Sequence, residues 1–343
     1  MAAGGYAVAV VGPTGLVGQE IVRELHRRGF VVGRLGLFGT PRTAGTTFSD
    51  VGGEGRVELL TSEAARGYDL VFLAAGREVA DEFARRVAAD GTWVVDTSSA
   101  LRLDEDVALV VPEVNAAALA ECSSRIAASP SPTSVALSVA LAPLLQYWSL
   151  RRVVVSTYQG AAGAGTRAVQ GLARETVRLL NAGSPEGTGA SRPLAFDCVP
   201  VIGALDGAGM SGHERLVMAE TRRILGAEVP PLHVTAVRVP IFVGTCLSVV
   251  VESDGPMPAE EVSAALRGAP GILLHEGDGA NPTPRGVAGS PATHIGRVRE
   301  DPTVPHGVAL WITIDTLAKG RAVNAVQIAE LLVRDHLLEC SSV

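Results

Sequence analysis

The amino-acid sequence predicts an α/β fold in two parts, and three observations lead to this prediction. Short apolar runs alternate with amphipathic stretches through the first third of the chain, which is typical of parallel strands connected by helices. After about Ser129 the predicted strands are longer and are separated by long connections, as in an α+β domain. The chain has 343 residues, 47% of them hydrophobic and 19% charged, so it can bury two cores and is not expected to be disordered.

The first predicted strand, Tyr6–Val11, leads into a glycine-rich loop, and an amphipathic helix over residues 19–28 follows that loop. Further apolar runs and a helical pattern continue the alternation, so we expect a parallel sheet covered on both faces. The further strands are predicted at residues 35–38, 70–75, 93–96 and 109–111, and a helix is predicted at residues 81–89.

The second part begins with a helix at residues 135–145 and a strand at residues 152–158. Two segments rich in Gly, Pro and Ser, residues 181–192 and 282–291, are expected to be surface loops. We therefore expect a parallel-sheet domain at residues 1–131, an α+β domain at 132–318, and a C-terminal helix within 319–343 that packs back on the first domain. The other predicted elements are strands at residues 234–239, 247–251 and 310–314 and the helix at residues 322–338.

Charge and cysteine content exclude several classes of protein. Lys and Arg total 29 against 36 Asp and Glu, a formal charge of -7, which argues against nucleic acid or an anionic membrane as a partner and favours a small molecule or another protein. Four cysteines lie far apart with no CxxC pattern, so we expect neither a disulfide framework nor a metal site. No basic leader and no apolar run of about 18 residues is present, so we expect a cytoplasmic protein.

Glycines occupy the first, fourth and seventh positions of the loop at residues 12–18, directly after a strand and before a helix. Backbone N–H groups at a helix N-terminus can hold a pyrophosphate, and residues without side chains let it come close. This variant of the dinucleotide fingerprint favours a nucleotide site over a merely tight turn. The sequence therefore predicts a Rossmann-type dinucleotide-binding domain, in which the loop residues that contact the cofactor are Gly12, Thr14, Gly15, Leu16 and Val17.

The choice of cofactor depends on the segment about 25 residues further on, where an NAD site offers an acidic side chain to the ribose. This chain has Thr-Pro-Arg-Thr-Ala-Gly at residues 40–45, and the next acid is Asp50. Arg42 and the hydroxyl of Thr43 suit a 2′-phosphate, which predicts NADP. An ordinary solvated arginine is the alternative interpretation of Arg42.

Several short segments are spread along nearly the whole chain. Besides the glycine loop, they are Arg-Thr-Ala-Gly at 42–45, Ala-Ala-Gly at 74–76, Asp-Thr-Ser-Ser-Ala-Leu-Arg at 96–102, Val-Pro-Glu-Val-Asn at 111–115, Ser-Thr-Tyr-Gln at 156–159, Gly-Ala-Gly at 163–165, Val-Arg-Val-Pro at 237–240, Gly-Arg-Val-Arg at 296–299, Lys-Gly at 319–320 and Asn-Ala-Val-Gln-Ile-Ala-Glu at 324–330. Together these segments resemble the aspartate-semialdehyde dehydrogenase family. The resemblance implies a homodimer formed through the second domain, and it adds Ala75, Gly76, Ser98 and Gly163 to the NADP site.

The family reaction depends on a cysteine, which forms a thioester, and on a histidine that transfers protons. The family's cysteine segment resembles residues 129–134, where Pro132 takes the place of the cysteine, and Thr245 stands where the histidine is expected. A thiol at the start of a helix is activated by the helix N-terminus. Proline is tolerated at that position, so the fold is expected to survive the substitution and the thioester chemistry is not.

Other pocket positions are partly retained. The resemblance implies that Arg102 binds phosphate, that Arg238 binds a carboxylate and that Gln159 lies in the active site, and an ordinary ion pair is the alternative role for each arginine. At residues 213–216 the family has paired acids and a lysine that helps to hold phosphate. Leu216 cannot replace that lysine.

Few residues are candidates to replace the family's cysteine and histidine. Cys246 follows Thr245 on a predicted strand, so its side chain is expected to point away from the site. The hydroxyls of Ser131, Thr133 and Ser134 lack the base that would activate them. His213 is a conceivable base by position, and a surface histidine is the alternative.

These observations lead to the hypothesis of an NADP-binding homodimer that cannot oxidise an aldehyde through a thioester. Two forms of this hypothesis stay open. The first is a non-catalytic or regulatory relative. The second is a reductase that passes hydride from NADPH to a preformed carbonyl or imine of an anionic substrate, which Arg102 and Arg238 would hold. A dimeric interaction protein without cofactor turnover is the alternative from another class. An active aspartate-semialdehyde dehydrogenase is the third hypothesis.

Overall fold

The computed structural model describes residues 5–50, 53–181, 193–277, 279 and 281–338. The chain divides into two compact units, the first made of Met1–Ser131 and Arg321–Val343 and the second of Pro132–Gly320. The loop predicted at residues 181–192 lies, apart from Asn181, outside the described residues. Among the described helices, none is both long and apolar enough to cross a membrane.

A seven-stranded sheet of described strands forms the first unit, and every neighbouring pair in it is parallel. In the order in which they lie, its strands are β5 (Glu58–Leu59), β2 (Val32–Gly39), β1 (Tyr6–Val11), β6 (Leu70–Leu73), β7 (Trp93–Asp96), β9 (Ile126–Ala128) and β8 (Ala108–Leu109), and a separate hairpin pairs β3 (Thr47–Asp50) with β4 (Gly53–Arg56).

The order of these strands creates a crevice. The chain leaves β1 for β2 on one side and later returns to place β6 on the other side of β1. At such a switch point the connections diverge, and ligands of open parallel sheets bind outside the carboxyl ends of the strands. The glycine loop and the three other predicted cofactor segments of this unit all follow strands at that edge.

Helices bury the apolar faces of this sheet. The helix α1 (Leu16–Arg27) buries Ile21 and Leu25, and a C-terminal helix adds Ile328 and Leu332 to the same core cluster. Arg28 and Glu330 form an ion pair of 2.7 Å beside these helices. The other helices of this unit are α2 (Arg77–Ala88), α3 (Pro112–Asn115) and the C-terminal helix, which is α8 (Asn324–Arg334).

The second unit is built on a mixed six-stranded sheet. In sheet order its described strands are β11 (Leu232–Arg238), β10 (Leu150–Gln159), β12 (Thr245–Ser253), β15 (Gly307–Ile314), β14 (Thr293–Glu300) and β13 (Ile272–His275), and its helices are α4 (Pro132–Leu145), α5 (Thr166–Leu180), α6 (Gly212–Leu225) and α7 (Ala259–Leu266).

The helix α4 is almost wholly buried because it is apolar on every side, and it packs against α6, α7 and the sheet. On the sheet face that it covers, the β10 and β12 side chains of Thr157, Val155, Leu247 and Val249 are buried. The opposite face leaves Tyr158 exposed and other apolar side chains half-buried. Among the described residues, this second face is the less covered side of the sheet, and Pro282 lies against one end of it, where it accepts from Trp311 and Thr313.

The predicted fold class is confirmed, because a parallel dinucleotide-type sheet and a mixed α+β sheet are both present. Several element ends differ from prediction for local reasons. The strand predicted at residues 109–111 stops at Leu109 because Pro112 begins a helix, and the one predicted at 70–75 stops before a turn in which Gly76 has φ of +105°. The helix predicted at residues 322–338 is α-helical only over α8, after a π-helical segment at Ala318–Val323.

Candidate functional site

The glycine loop is shaped by close contacts at the carboxyl end of β1. Gly12 has φ of +85°, and a Cβ there would lie 2.9 Å from the carbonyl oxygen of Ala74. A Cβ at Gly18 would collide with the carbonyl oxygen of Gly12, so the first turn of α1 packs directly on the loop. The first turn of α1 has no acidic residue, and Gly15 provides no side-chain cap. The N–H groups of that turn are therefore suited to a negatively charged phosphate.

The segment after β2 presents the predicted 2′-phosphate residues. A Cβ at Gly39 would collide with the hydroxyl of Thr43, so the Thr43 side chain packs over the end of the strand. Arg42 is exposed, and it makes no ion pair or hydrogen bond with the residues that the structure describes. Its guanidinium is therefore available to an anion.

The segments after β6 and β7 contribute backbone shape and one buried carboxylate. Gly76 precedes α2. The Ser98 hydroxyl donates to Asp96 (2.9 Å) and accepts from the N–H of Ala100 (3.1 Å), so it is already used within the fold. Burial raises the pKa of Asp96, although the Ser98 hydrogen bonds and the charge of Arg102 oppose that rise.

Arg102 is buried, and its Nη2 donates to the carbonyl oxygen of Thr97 at 3.2 Å. Nη1 of Arg321 donates to the same oxygen, also at 3.2 Å. The structure thus brings a second guanidinium beside the predicted phosphate-binding arginine. Sequence reasoning missed Arg321, because the two residues lie far apart in the chain and no local pattern marks the second one.

In the second unit, three predicted site residues form one row across the sheet. Gln159 on β10 pairs with Arg238 on the parallel strand β11 and with Thr245 on the antiparallel strand β12. Neighbouring strands lie about 4.8 Å apart, and paired residues project from the same face. Arg238, Gln159 and Thr245 therefore line one polar strip, which we call the polar row.

His213 joins the polar row through Gln159. The Gln159 side-chain amide donates to Nε2 of His213 at 3.0 Å and to Oγ1 of Thr157 at 3.1 Å. His213 is half-buried in the first turn of α6. The imidazole thus contacts the predicted active-site glutamine, and a role for His213 as a base stays a prediction.

The N-terminus of α6 is held in place by Glu214, the next residue after His213. Ser211 and Glu214 form a capping box, in which each side chain accepts from the other's backbone N–H. The second carboxylate oxygen of Glu214 accepts from the N–H of Ala236 on β11 at 2.8 Å. Burial alone would raise the pKa of Glu214, but these hydrogen bonds lower it below its usual value. One carboxylate therefore fastens the helix that carries His213 to the strand that carries Arg238.

Pro132 occupies the position that the resemblance assigns to the family's cysteine nucleophile. Pro132 is the first residue of α4 and is buried, and a Cβ at Gly320 would lie only 2.7 Å from the proline Cβ. The Thr245 hydroxyl lies 3.2 Å from the hydroxyl of Thr316, which also accepts from the N–H of Gly244. Neither position supplies a thiol or an imidazole.

Cys246 lies on the sheet face opposite the polar row, as its place next to Thr245 predicts, because it pairs with Tyr158 and Thr313. The thiol is buried and accepts from the Thr313 hydroxyl at 3.5 Å. Burial raises the pKa of this thiol, and the hydrogen bond opposes the rise only in part. A protonated thiol on the far face of the sheet is a poor nucleophile.

Arg238 is held by the loop after β10. Its Nη1 donates to the carbonyl oxygen of Gly160 at 2.6 Å, and a Cβ at Gly163 would lie 2.8 Å from the same nitrogen. Burial lowers the pKa of the guanidinium. A side chain at Gly163, which the resemblance assigns to the cofactor site, would therefore have to displace the Arg238 guanidinium.

A glycine loop at the switch point of a parallel sheet, together with a unit that presents an arginine, a glutamine and a histidine, defines a dinucleotide-binding α/β protein. Residues 7–122 match the semialdehyde dehydrogenase NAD binding domain, and residues 141–319 match the semialdehyde dehydrogenase dimerisation domain. The chain belongs to the aspartate-semialdehyde dehydrogenase family. The predicted family and the predicted nicotinamide-dinucleotide domain are thereby confirmed.

Curated relatives cover the chain end to end. The aspartate-semialdehyde dehydrogenase of Aquifex aeolicus is 35% identical over 339 residues, which cover 97% of this chain and 100% of the relative. That of Streptomyces akiyoshiensis is 37% identical, with coverage of 96% and 98%. The Vibrio cholerae aspartate semialdehyde dehydrogenase II complexed with ASA has a TM-score of 0.92 at 36% identity, with coverage of 97% and 99%. The enzyme from Candida albicans with NADP has a TM-score of 0.72 at 20% identity over 97% and 99% of the two chains, so it shows the fold alone.

Proposed function

We propose that this chain binds NADP and reduces a preformed carbonyl or imine of a small carboxylate, without the thioester chemistry of phosphorylating dehydrogenation. The polar row with His213 carries this proposal. It keeps a guanidinium for a carboxylate and an imidazole for a proton, while Pro132 and Thr245 provide neither nucleophile nor base.

The cofactor proposal is supported by residues of the first unit. The N-terminus of α1 suits the pyrophosphate, and the exposed Arg42 suits a 2′-phosphate. The solved relative from Candida albicans is described with NADP. When bound, the cofactor supplies a hydride to an electrophile.

The chain's own residues orient the substrate and hold its proton. Arg238 binds the substrate carboxylate with two parallel hydrogen bonds, and the Gln159 amide, whose two N–H groups go to His213 and Thr157, holds the imidazole beside the polar row. The imidazole of His213, oriented by Gln159 at 3.0 Å, supplies in its protonated form the proton that the carbonyl oxygen or imine nitrogen gains, while the carbon gains the hydride. Since reduction of an existing electrophile needs no enzyme nucleophile, the replaced thiol is no obstacle.

A homodimer is part of the proposal. The match to the dimerisation domain and the less covered face of the second sheet, which carries Tyr158, support it. The same two observations also favour the second candidate, an interaction protein without turnover. Nucleotide binding separates these candidates, because an interaction protein of this kind has no need of NADPH.

The proposal is tested first by fluorescence titration with NADPH and NADH, then by NADPH oxidation in the presence of succinic semialdehyde and of oxaloacetate. We expect NADPH to bind more tightly than NADH, and turnover to be lost in Arg238→Gln but kept in the matched control Arg215→Gln, whose arginine is exposed and pairs with Asp206. Aspartate semialdehyde, phosphate and NADP should give no reduction above background. Phosphate-dependent NADP reduction would contradict the proposal, and absence of nucleotide binding would favour the interaction protein.

A further inference from the structure

A cavity of about 850 Å³ lies in the second unit, beside α5 and the segment at residues 194–203. Arg238 of the polar row is part of its lining. The volume is near the upper end of the roughly 300–1,000 Å³ usual for small-molecule pockets. The lining part of α5, residues 167–175, is about 12 Å long at 1.5 Å per residue. The cavity is therefore long as well as large.

Small and apolar side chains make up much of the cavity wall. Ala168, Gly171 and Leu172 lie on one face of α5, because residues three and four apart share a face, and Val199 and Ile202 add apolar surface. Gly171 is buried, yet a Cβ built on it meets no described atom within 4 Å. Leu172 and Ala168 pack against Ala161 and Ala195, whereas the space in front of Gly171 belongs to the cavity.

The charged groups in the lining favour an anion. Arg238 donates to the carbonyl oxygen of Gly160 and makes no ion pair with any described residue. Arg167 and Arg174 also line the cavity. Glu175 is the one acid in the described lining. Its Oε2 accepts from the backbone N–H groups of Leu194 and Ala195 at 2.8 and 3.1 Å, so this oxygen is already engaged by the protein.

We propose that this cavity binds a carboxylate that carries a hydrocarbon tail, with the carboxylate on Arg238 and the tail along the Gly171 face of α5. The inference rests on the proposed function for the role of Arg238, and it adds a substrate class, a carboxylic acid with an apolar tail. A short dicarboxylate or semialdehyde would leave most of the apolar wall in contact with water, whereas each buried methylene strengthens binding about fourfold.

The test is isothermal titration of the full-length chain with acetate, butyrate, hexanoate and octanoate, with and without saturating NADPH. We expect affinity to rise about threefold to fourfold for each added methylene. Gly171→Leu should weaken the binding of octanoate by more than about tenfold, because the new side chain occupies the space of several methylenes. The affinity for acetate should not change. Leucine is a stronger helix former than glycine, so this variant is expected to fold.

The matched control is Gln170→Leu, which places the same side chain one residue away on the exposed side of α5. Octanoate should bind this control as tightly as it binds the wild type. Arg238→Gln should weaken the binding of all four carboxylates. Equal affinity for acetate and octanoate, or equal effects of the two leucine variants, would overturn the inference. A chain that binds octanoate but does not oxidise NADPH with succinic semialdehyde or oxaloacetate would overturn the proposed function and leave the binding inference supported.

Discussion

At the residue scale, the proposed function depends on Arg42, His213 and Pro132. The prediction for Arg42 depends only on its place after the second strand, so it can be made from nearby residues of the sequence. The contact of His213 with Gln159 joins residues 54 positions apart, so no local pattern reveals it. The interpretation of Pro132 as the replacement of a thiol rests on the family resemblance, whereas its packing against Gly320 follows only from the fold.

Arg42→Gln tests the cofactor choice at the level of one side chain. A hydrogen bond to a charged group contributes about 1.5–3 kcal/mol, so NADPH should bind about tenfold to hundredfold more weakly. NADH, which lacks the 2′-phosphate, should bind as before. Fluorescence titration of both nucleotides measures the change.

The control for this experiment is Arg66→Gln, since Arg66 is exposed and pairs with Asp90 before the amino ends of β6 and β7. It should leave both affinities unchanged. Equal weakening of NADPH and NADH by Arg42→Gln would show that Arg42 does not contact the 2′-phosphate.

Elements are predicted best where burial on both sides produces a continuous apolar run. Strands β1 and β7 match their predicted bounds for this reason. Helices α5 and α6 have only a few buried residues and were not predicted. The hairpin of β3 and β4 was also missed, because most of its residues are exposed and three of its eight residues are glycine or arginine. The exposed hairpin therefore has no continuous apolar pattern in the sequence, whereas α5 is amphipathic at the helical period and could have been predicted from that pattern.

Glu214→Gln tests the element that carries His213. The carboxylate accepts backbone N–H groups from Ser211 and Ala236, so the variant should lose about 2 kcal/mol of unfolding free energy at pH 7. The folded-state pKa of Glu214 lies below its usual value. The stabilisation is therefore complete above the unfolded pKa of about 4.3 and is lost as pH falls through the lower folded pKa.

Urea denaturation at pH 7 and in the acid range measures this effect. The free-energy difference between wild type and variant should shrink as pH falls. Glu228→Gln, at an exposed site of the same unit, should change stability little at either pH. A difference of equal size at both pH values would contradict the assignment to the ionised carboxylate.

At the scale of the whole molecule, the two matched domains agree with the two compact units. The alternation of strands and helices predicted the first sheet, but composition does not reveal which sheet face remains uncovered. In the second unit that face carries Val154, Tyr158, Val250 and Trp311, all at least partly exposed. A second copy of the chain is the occupant that the dimerisation-domain match supports.

Val250→Lys tests the proposed dimer. A lysine in the middle of a face that is buried between two copies must lose its hydration, so dissociation to monomers is expected. Sedimentation velocity measures the change in mass. Val177→Lys, at a position of α5 that is 60% exposed, should keep the mass of the wild type. If both variants sediment as the wild type does, the dimer does not use this face.

The helix α8 has a consequence for the order of folding during synthesis. It supplies Ile328 and Leu332 to a core whose strands β1 and β6 leave the ribosome about 310 and 250 residues earlier. Translation runs from the N-terminus at about 5–20 residues per second, so the nucleotide-binding unit waits many seconds with part of its apolar interior uncovered. The unit that the ribosome starts first is therefore the one that it finishes last, and a nascent chain is most in need of chaperones during that interval.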